Sequence, residues 1–148
     1  MVRERGFTLI ELMVVFAILA LVMSVVPSAY DKMKTSMDYR DVVRGVVTGM
    51  RAARQQAVLS GRESVFMVNL ESKQYGVEGG QSRPIPDTIE LRAIVADSEA
   101  KDSHFGIRFL PSGGASGGSV DVLRHTGDGV RLRVDWFSGR VEQEPVQK

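Results

Sequence analysis

The sequence predicts an α+β protein in which one long N-terminal helix, transmembrane in its first half, packs on a C-terminal antiparallel β-sheet head. Three features lead to this reading. Residues 7–26, FTLIELMVVFAILALVMSVV, form an apolar run of membrane-spanning length; residues 28–59 return to helical spacing; and beyond Gly61 the chain breaks into short β-rich runs. A chain of 148 residues has room for one compact domain plus one further element, not for two full domains.

As a helix rising about 1.5 Å per residue, the apolar run covers roughly 30 Å, the thickness of a bilayer's hydrocarbon core. Arg3 and Arg5 precede it, so the positive-inside rule places that end in the cytoplasm and the bulk of the chain across the membrane. An ordinary secretory signal has a shorter apolar region followed by a small-x-small site, whereas Ser28-Ala29-Tyr30 follows a full-length span and Pro27. Glu11 stands five residues into the run, where a carboxylate costs on the order of 2.5–3.5 kcal/mol at mid-membrane. It needs a partner, or else a position near the headgroups of an uncleaved anchor.

Pro27 removes a backbone donor and clashes with the preceding turn, so the helix is expected to kink or locally unwind near Val26. Beyond it, Tyr30, Met33 and Met37 make one stripe, and Val43, Val46, Val47, Met50, Ala53 and Ala57 another that points elsewhere at about 100° per residue. The later stripe is expected to pack on the protein's own sheet and the earlier one to face other subunits. Arg40, Arg44, Arg51 and Arg54 share a helical face, which reads first as a solvated surface and otherwise as intersubunit salt bridges or a nucleic-acid contact. Gly45 and Gly49 stand four apart, and close backbone packing would be one reason to keep them in a helix. Gly61 supplies a stop.

The head is read as strands at residues 64–70, 74–77, 88–95, 105–110, 119–124 and 130–136, with a short run at 140–141. Val120, Val122, Val130, Leu132, Val134 and Trp136 give the period-two signature of half-buried strands, with Arg124, Arg131, Arg133 and Asp135 on the other face. Gly127-Asp128-Gly129 turns one strand into the next as a hairpin. Residues 79–86 and the charge-rich residues 96–103 are read as loops.

Lys and Arg total 19 against 18 Asp and Glu, so no net field steers the chain toward nucleic acid or an anionic surface. Cysteine is absent, which excludes disulfides and thiolate metal sites and leaves the compartment to be argued from the N-terminus. Gly114-Ala115-Ser116-Gly117-Gly118 formally matches a G-x-S-x-G nucleophile elbow, followed by Asp121 and His125. That elbow requires a strand-to-helix turn, and here a strand follows the glycines, so no catalytic residue is expected. No Lys-Ser or Lys-Thr follows to make a phosphate cradle. Asp97, Glu99 and Asp102 gather carboxylates but match no EF-hand spacing, and His104 and His125 read as surface or strand residues. No metal or cofactor is expected.

Arg5-Gly6-Phe7-Thr8-Leu9-Ile10-Glu11-Leu12 closely resembles the class III signal of type IV pilins and type II secretion pseudopilins. The resemblance implies a prepilin peptidase that cuts between Gly6 and Phe7 and N-methylates Phe7, with Glu11 meeting the new terminal ammonium of a neighbouring subunit. Glycine before the cut allows close approach of a protease, and a buried carboxylate needs such a cation. The implied parts are a leader at residues 1–6, a transmembrane helix at 7–27, the periplasmic half of the helix at 28–61 and a β-rich head at 62–148.

Three further features resemble the H-type, GspH/FimT, branch: Arg51-Ala52-Ala53-Arg54-Gln55-Gln56-Ala57, Phe109-Leu110-Pro111-Ser112-Gly113, and Ser138-Gly139-Arg140-Val141. This implies a minor pseudopilin at or near the tip of a short periplasmic filament, anchored in inner-membrane lipid before assembly. Its partners would be the peptidase, other minor pseudopilins, the major pseudopilin and secreted substrate. The alternative is a FimT-like minor pilin for pilus assembly or DNA uptake, with Arg140 as the DNA contact. Against it, Glu142 and Glu144 stand where further cationic character would be needed.

Overall fold

The computed structural model describes residues 7–94, 100–101 and 104–146, and the side chains of these except 25–32 and 100–101. The chain divides into two compact units, one ending at Ser36 and the other beginning at Met37. One helix, α1 (Leu9–Ser60), supplies the first unit and opens the second.

In the first unit, Thr8 caps the helix: its hydroxyl accepts from the Glu11 backbone N–H at 3.3 Å and its carbonyl from Leu12 at 3.2 Å. Every side chain of residues 7–24 is exposed, with apolar residues on all sides. Among the described residues no helix is long and apolar enough to cross a membrane; the described side chains of the apolar run end at Ser24, short of Val26. The backbone stays helical through Pro27, so the expected local unwinding does not occur. A proline inside a helix removes one hydrogen bond, and the turns on either side can carry the element past it.

In the second unit, α1 buries Val42, Val46, Val47, Met50, Ala53 and Ala57. This is the expected later stripe with one adjustment: Val42 is buried and Val43 only half-buried, which rotates the stripe slightly. Met33 and Met37 are exposed, so the earlier stripe is not covered like the later one, and the side chain of Tyr30 lies outside the described residues. The helix ends at Gly61, whose φ of 65° takes the left-handed turn that glycine adopts without strain.

Among the described residues, nine strands form two antiparallel sheets. β1 (Ser64–Asn69), β2 (Gln74–Val77), β3 (Ser82–Pro84), β5 (Ala100–Lys101) and β6 (His104–Phe109) make one in the order β3-β2-β1-β6-β5. β4 (Ile89–Ile94), β7 (Gly118–Arg124), β8 (Gly129–Val134) and β9 (Val141–Val146) make the other in the order β4-β7-β8-β9. The core joins the helix stripe to Phe66, Val68, Ile107 and Phe109 of the first sheet and Val120, Val122, Leu132 and Val134 of the second.

Five sequence readings are corrected. Arg124, read on the outward face, shares the parity of Val120 and Val122, and its guanidinium lies over the Tyr39 ring of α1 at 3.9 Å. β3 lies inside the segment read as a loop, paired along β2 as an exposed edge with no hydrophobic alternation to announce it. β5 likewise falls within the residues read as a charged loop. β8 stops at Val134, and Trp136 is 68% exposed in the following turn, not the inward end of an alternating strand. β9 continues for six residues where two were expected, because β8 supplies a pairing template that Glu142, Gln143, Glu144 and Pro145 do not advertise.

Gly45 and Gly49 do mark close packing, but against the protein's own sheet. A Cβ at Gly49 would lie 2.7 Å from the Phe66 ring, and one at Gly45 2.1 Å from the Tyr75 hydroxyl. Phe66 is fully buried and has no room to retreat. Gly49→Ala is therefore expected to lower stability by up to about 2 kcal/mol, since overpacking of about 1–3 kcal/mol is set against the roughly 1 kcal/mol that alanine gains in a helix. A raised urea midpoint in the detergent-solubilised chain would contradict this packing.

Candidate functional site

Two regions hold the residues to which the sequence assigned roles. At the N-terminal one, Gly6 lies outside the described residues, while Phe7 is exposed just ahead of α1. Glu11 sits in the first helical turn, where its negative charge is favourable to the helix dipole. Its carboxylate has no ion-pair partner among the described residues, and its neighbours Leu9, Ile10, Leu12 and Met13 are exposed apolar side chains. A carboxylate in such surroundings remains stable when water reaches it or when another chain brings a cation.

The second region lies where α1, the β6–β7 loop and the β8–β9 turn meet. Arg54, grouped by sequence with a solvated arginine face, is half-buried: its Nε–H donates to the carbonyls of both Gly113 and Ser138, each at 3.0 Å. One guanidinium thereby fastens two loops to the helix. Gly139, at φ 62°, is required here, because a Cβ would stand 2.3 Å from the Gly113 carbonyl and 2.9 Å from Arg54 Nε. The loops are also tied directly, with Ala115 N–H donating to the Trp136 carbonyl at 2.8 Å.

The β8–β9 turn is braced from within. Asp135 Oδ1 accepts from the Ser138 backbone N–H at 2.8 Å and from its hydroxyl at 2.7 Å, and Gly139 N–H donates to the Asp135 carbonyl at 2.8 Å. The Ser138 backbone N–H and then its hydroxyl hold the Asp135 carboxyl below its ordinary range. The turn displays Trp136 and Phe137 to solvent, packed edge to face with ring centroids 5.7 Å apart. Arg140 is exposed beside them. Glu142 and Glu144 both reach Arg133, at 2.7 and 3.2 Å, on the far face of β9 from its helix-facing residues.

The other sequence candidates find structural places. Ser116 leads from a β-bridge into strand β7, its hydroxyl accepting from Arg108 N–H at 3.1 Å, so the G-x-S-x-G spacing is a β–β loop without an elbow. Asp121, 7% exposed, is held by Arg131 through two contacts of 2.7 and 2.8 Å and does not approach His125 as a triad member. His104 Nε2 meets the Asn69 amide at 2.7 Å across the β1–β6 pair, while His125 is exposed after β7. Asp97, Glu99 and Asp102 lie outside the described residues. Sequence reasoning missed Arg54's role, although Arg54, Gly113 and Ser138-Gly139 belong to the three quoted segments.

Comparisons with known proteins agree on the architecture. Residues 42–139 match the family described as Type II transport protein GspH, and residues 1–27 match the prokaryotic N-terminal methylation motif. A relative from Xanthomonas campestris pv. campestris named Type II secretion system protein H is 26% identical over 97% of this chain and 85% of its own length. A Pseudomonas aeruginosa fimbrial protein is 27% identical over 88% of this chain and 84% of its own. Among solved structures, the minor pseudopilin EpsH from the Type 2 Secretion System of Vibrio cholerae superposes with TM-score 0.57 at 10% identity, covering 73% of this chain and 97% of that one. The type IV minor pilin FimU of Pseudomonas aeruginosa gives TM-score 0.50 at 16% identity, over 78% and 91% of the two chains. At these identities the two structures establish the shared fold.

Two expectations follow from the braced loops. Arg54→Ala leaves two carbonyls without their donor and should lower stability by about 1–3 kcal/mol, with amide exchange accelerating first around Gly113 and Ser138; uniform exchange would count against the clamp. Because the Asp135 pKa is lowered on folding, its stabilisation is complete above the unfolded value near 3.9 and is lost as pH falls through the lower folded value. Trp136, the sole tryptophan, reports this directly. Its emission should hold from neutral pH to about pH 4 and shift below it, while Asp135→Ala should show the shifted emission already at neutral pH.

Proposed function

The chain belongs to the GspH family of type II transport proteins, and from that membership we propose that it is a minor pseudopilin of the type II protein secretion system, working by assembly into a periplasmic filament at or near its tip. The observation that carries the reading is the combination of a helix exposing apolar side chains on every side from residue 9 to 24 with Glu11 in its first turn, which has no ion-pair partner among the described residues. Such a helix cannot remain in water uncovered; lipid covers it before assembly and neighbouring helices afterwards.

In this reading a prepilin peptidase cuts between Gly6 and Phe7, a step supported by the methylation motif matched at residues 1–27. Phe7 becomes the N-methylated terminus. Its ammonium, brought by a neighbouring subunit, pairs with Glu11 and sets the register of one helix on the next. Residues 7–27 anchor the chain in the inner membrane with the leader cytoplasmic and the head periplasmic. Residues 28–61 build the filament core, and the head from residue 62 onward meets other minor pseudopilins, the major pseudopilin or secreted substrate.

Mass spectrometry of the membrane fraction should find N-methyl-phenylalanine at Phe7 in place of Met1, and Gly6→Ala should leave the precursor uncut. Glu11→Ala should be cut normally but enter filaments poorly, by roughly tenfold or more if an ion pair in lipid is lost. Wild-type incorporation of that variant would sink the proposed pairing, and an intact Met1 in the mature protein would sink the processing step.

A further inference from the structure

We propose that the groove between α1 and the edge strand β9 is a docking site for an acidic, amphipathic segment of another protein subunit. Its cationic wall is the part of the arginine face that Arg54 leaves behind. Arg40, Arg44 and Arg51 are exposed, stand on one face of α1, and make no ion pair or side-chain hydrogen bond among the described residues. Most other head arginines have partners: Arg92 with Glu90, Arg108 with Glu63, Arg124 with Asp128, Arg131 with Asp121 and Arg133 with Glu142.

The groove has a volume of about 400 Å³, with Tyr39 and Val43 half-buried in its apolar lining and Gln143 of β9 on the opposite side. β9 ends its sheet, and among the described residues no further strand pairs along that edge. The two carboxylates of β9 do not neutralise the arginines. With a side-chain period of two, Gln143 shares the face of its partner Leu132, while Glu142 and Glu144 point to the other face and are taken up by Arg133. Asp38 is engaged by the Thr88 hydroxyl, and Asp128 by Arg124 and Thr126.

Three free guanidiniums beside an apolar lining fit carboxylates carried on an amphipathic segment, each fork able to take a carboxylate bidentately. The spacing is definite: Arg40 and Arg44 are one helical turn apart, about 6 Å, and Arg51 lies roughly 10 Å further along. Nucleic acid fits less well. Phosphate tracking needs a cationic surface with a net positive field, whereas this chain is near neutral overall.

The inference rests on the assembly reading for where such a partner is met, but a binding measurement on the full detergent-solubilised chain requires no filament and fails independently of it. The probe is a fluorescein-labelled amphipathic peptide with glutamates at helical positions i, i+4 and i+11, together with its reversed sequence; the controls are the same peptides with glutamine and a duplex oligonucleotide. We expect at least one acidic peptide to bind in a salt-sensitive manner, the glutamine forms not to bind, and R44E/R51E to weaken binding roughly tenfold or more. Circular dichroism and Trp136 emission should be unchanged in the variant, since neither arginine has a partner to lose; if it misfolds, R44Q/R51Q serves instead. Peptide affinity indifferent to these substitutions, or duplex binding that depends on them while the acidic peptides fail, would overturn the proposal.

Discussion

One stripe of one helix, from Val42 to Ala57, closes the head, and the remaining features are arranged around that contact. Two antiparallel sheets each have an apolar face to bury, and α1 supplies a common partner for both, with Phe66 and Ile107 reaching it from one sheet and Leu132 and Val134 from the other. The approach is close enough that Gly45 and Gly49 are fixed by the side chains of Tyr75 and Phe66. Because the stripe is narrow, the flanks of the same helix are left for other work: small residues on one side, arginines on the other. Toward its N-terminal end, from residue 7 to 24, the side chains are exposed, apolar residues and Glu11 alike.

The helix also organises the loops. Arg54 follows directly on the buried Ala53 and turns its Nε–H onto two carbonyls that are distant from each other in the chain. That contact converts three separate sequence features into one object: the arginine-rich end of the helix, the glycine loop after β6 and the Ser-Gly turn after β8. With the Asp135 brace it fixes the turn that carries the exposed Trp136 and Phe137.

Charge follows the pleat. Across the outer face of the second sheet, Arg92, Asp121, Arg131 and Glu144 stand in register on four successive strands, alternating in sign. Asp121, the most buried of them, has both its oxygens taken by Arg131. The outward alternation read for Arg131 and Arg133 is thus a paired surface, while on the helix Arg40, Arg44 and Arg51 have no partner among the described residues. Near-zero net charge therefore conceals a local separation between compensated and uncompensated cations.

By itself the sequence determined the class of the protein, its long helix, the buried stripe, most strands, and the N-terminal segment around Gly6, Phe7 and Glu11. These are written in short-range patterns: an apolar run, a helical period, a strand period and a contiguous match to the N-terminal methylation motif. It also allowed the G-x-S-x-G spacing to be set aside, since the segment after it reads as a strand. Tertiary structure alone decided the split into two sheets, the extra strands β3 and β5, the full length of β9, the exposure of Trp136, and which arginines are engaged. Each depends on what another part of the chain brings alongside: an edge strand is made by its neighbour's backbone, and an arginine is spent or free according to the carbonyls and carboxylates that folding places within reach.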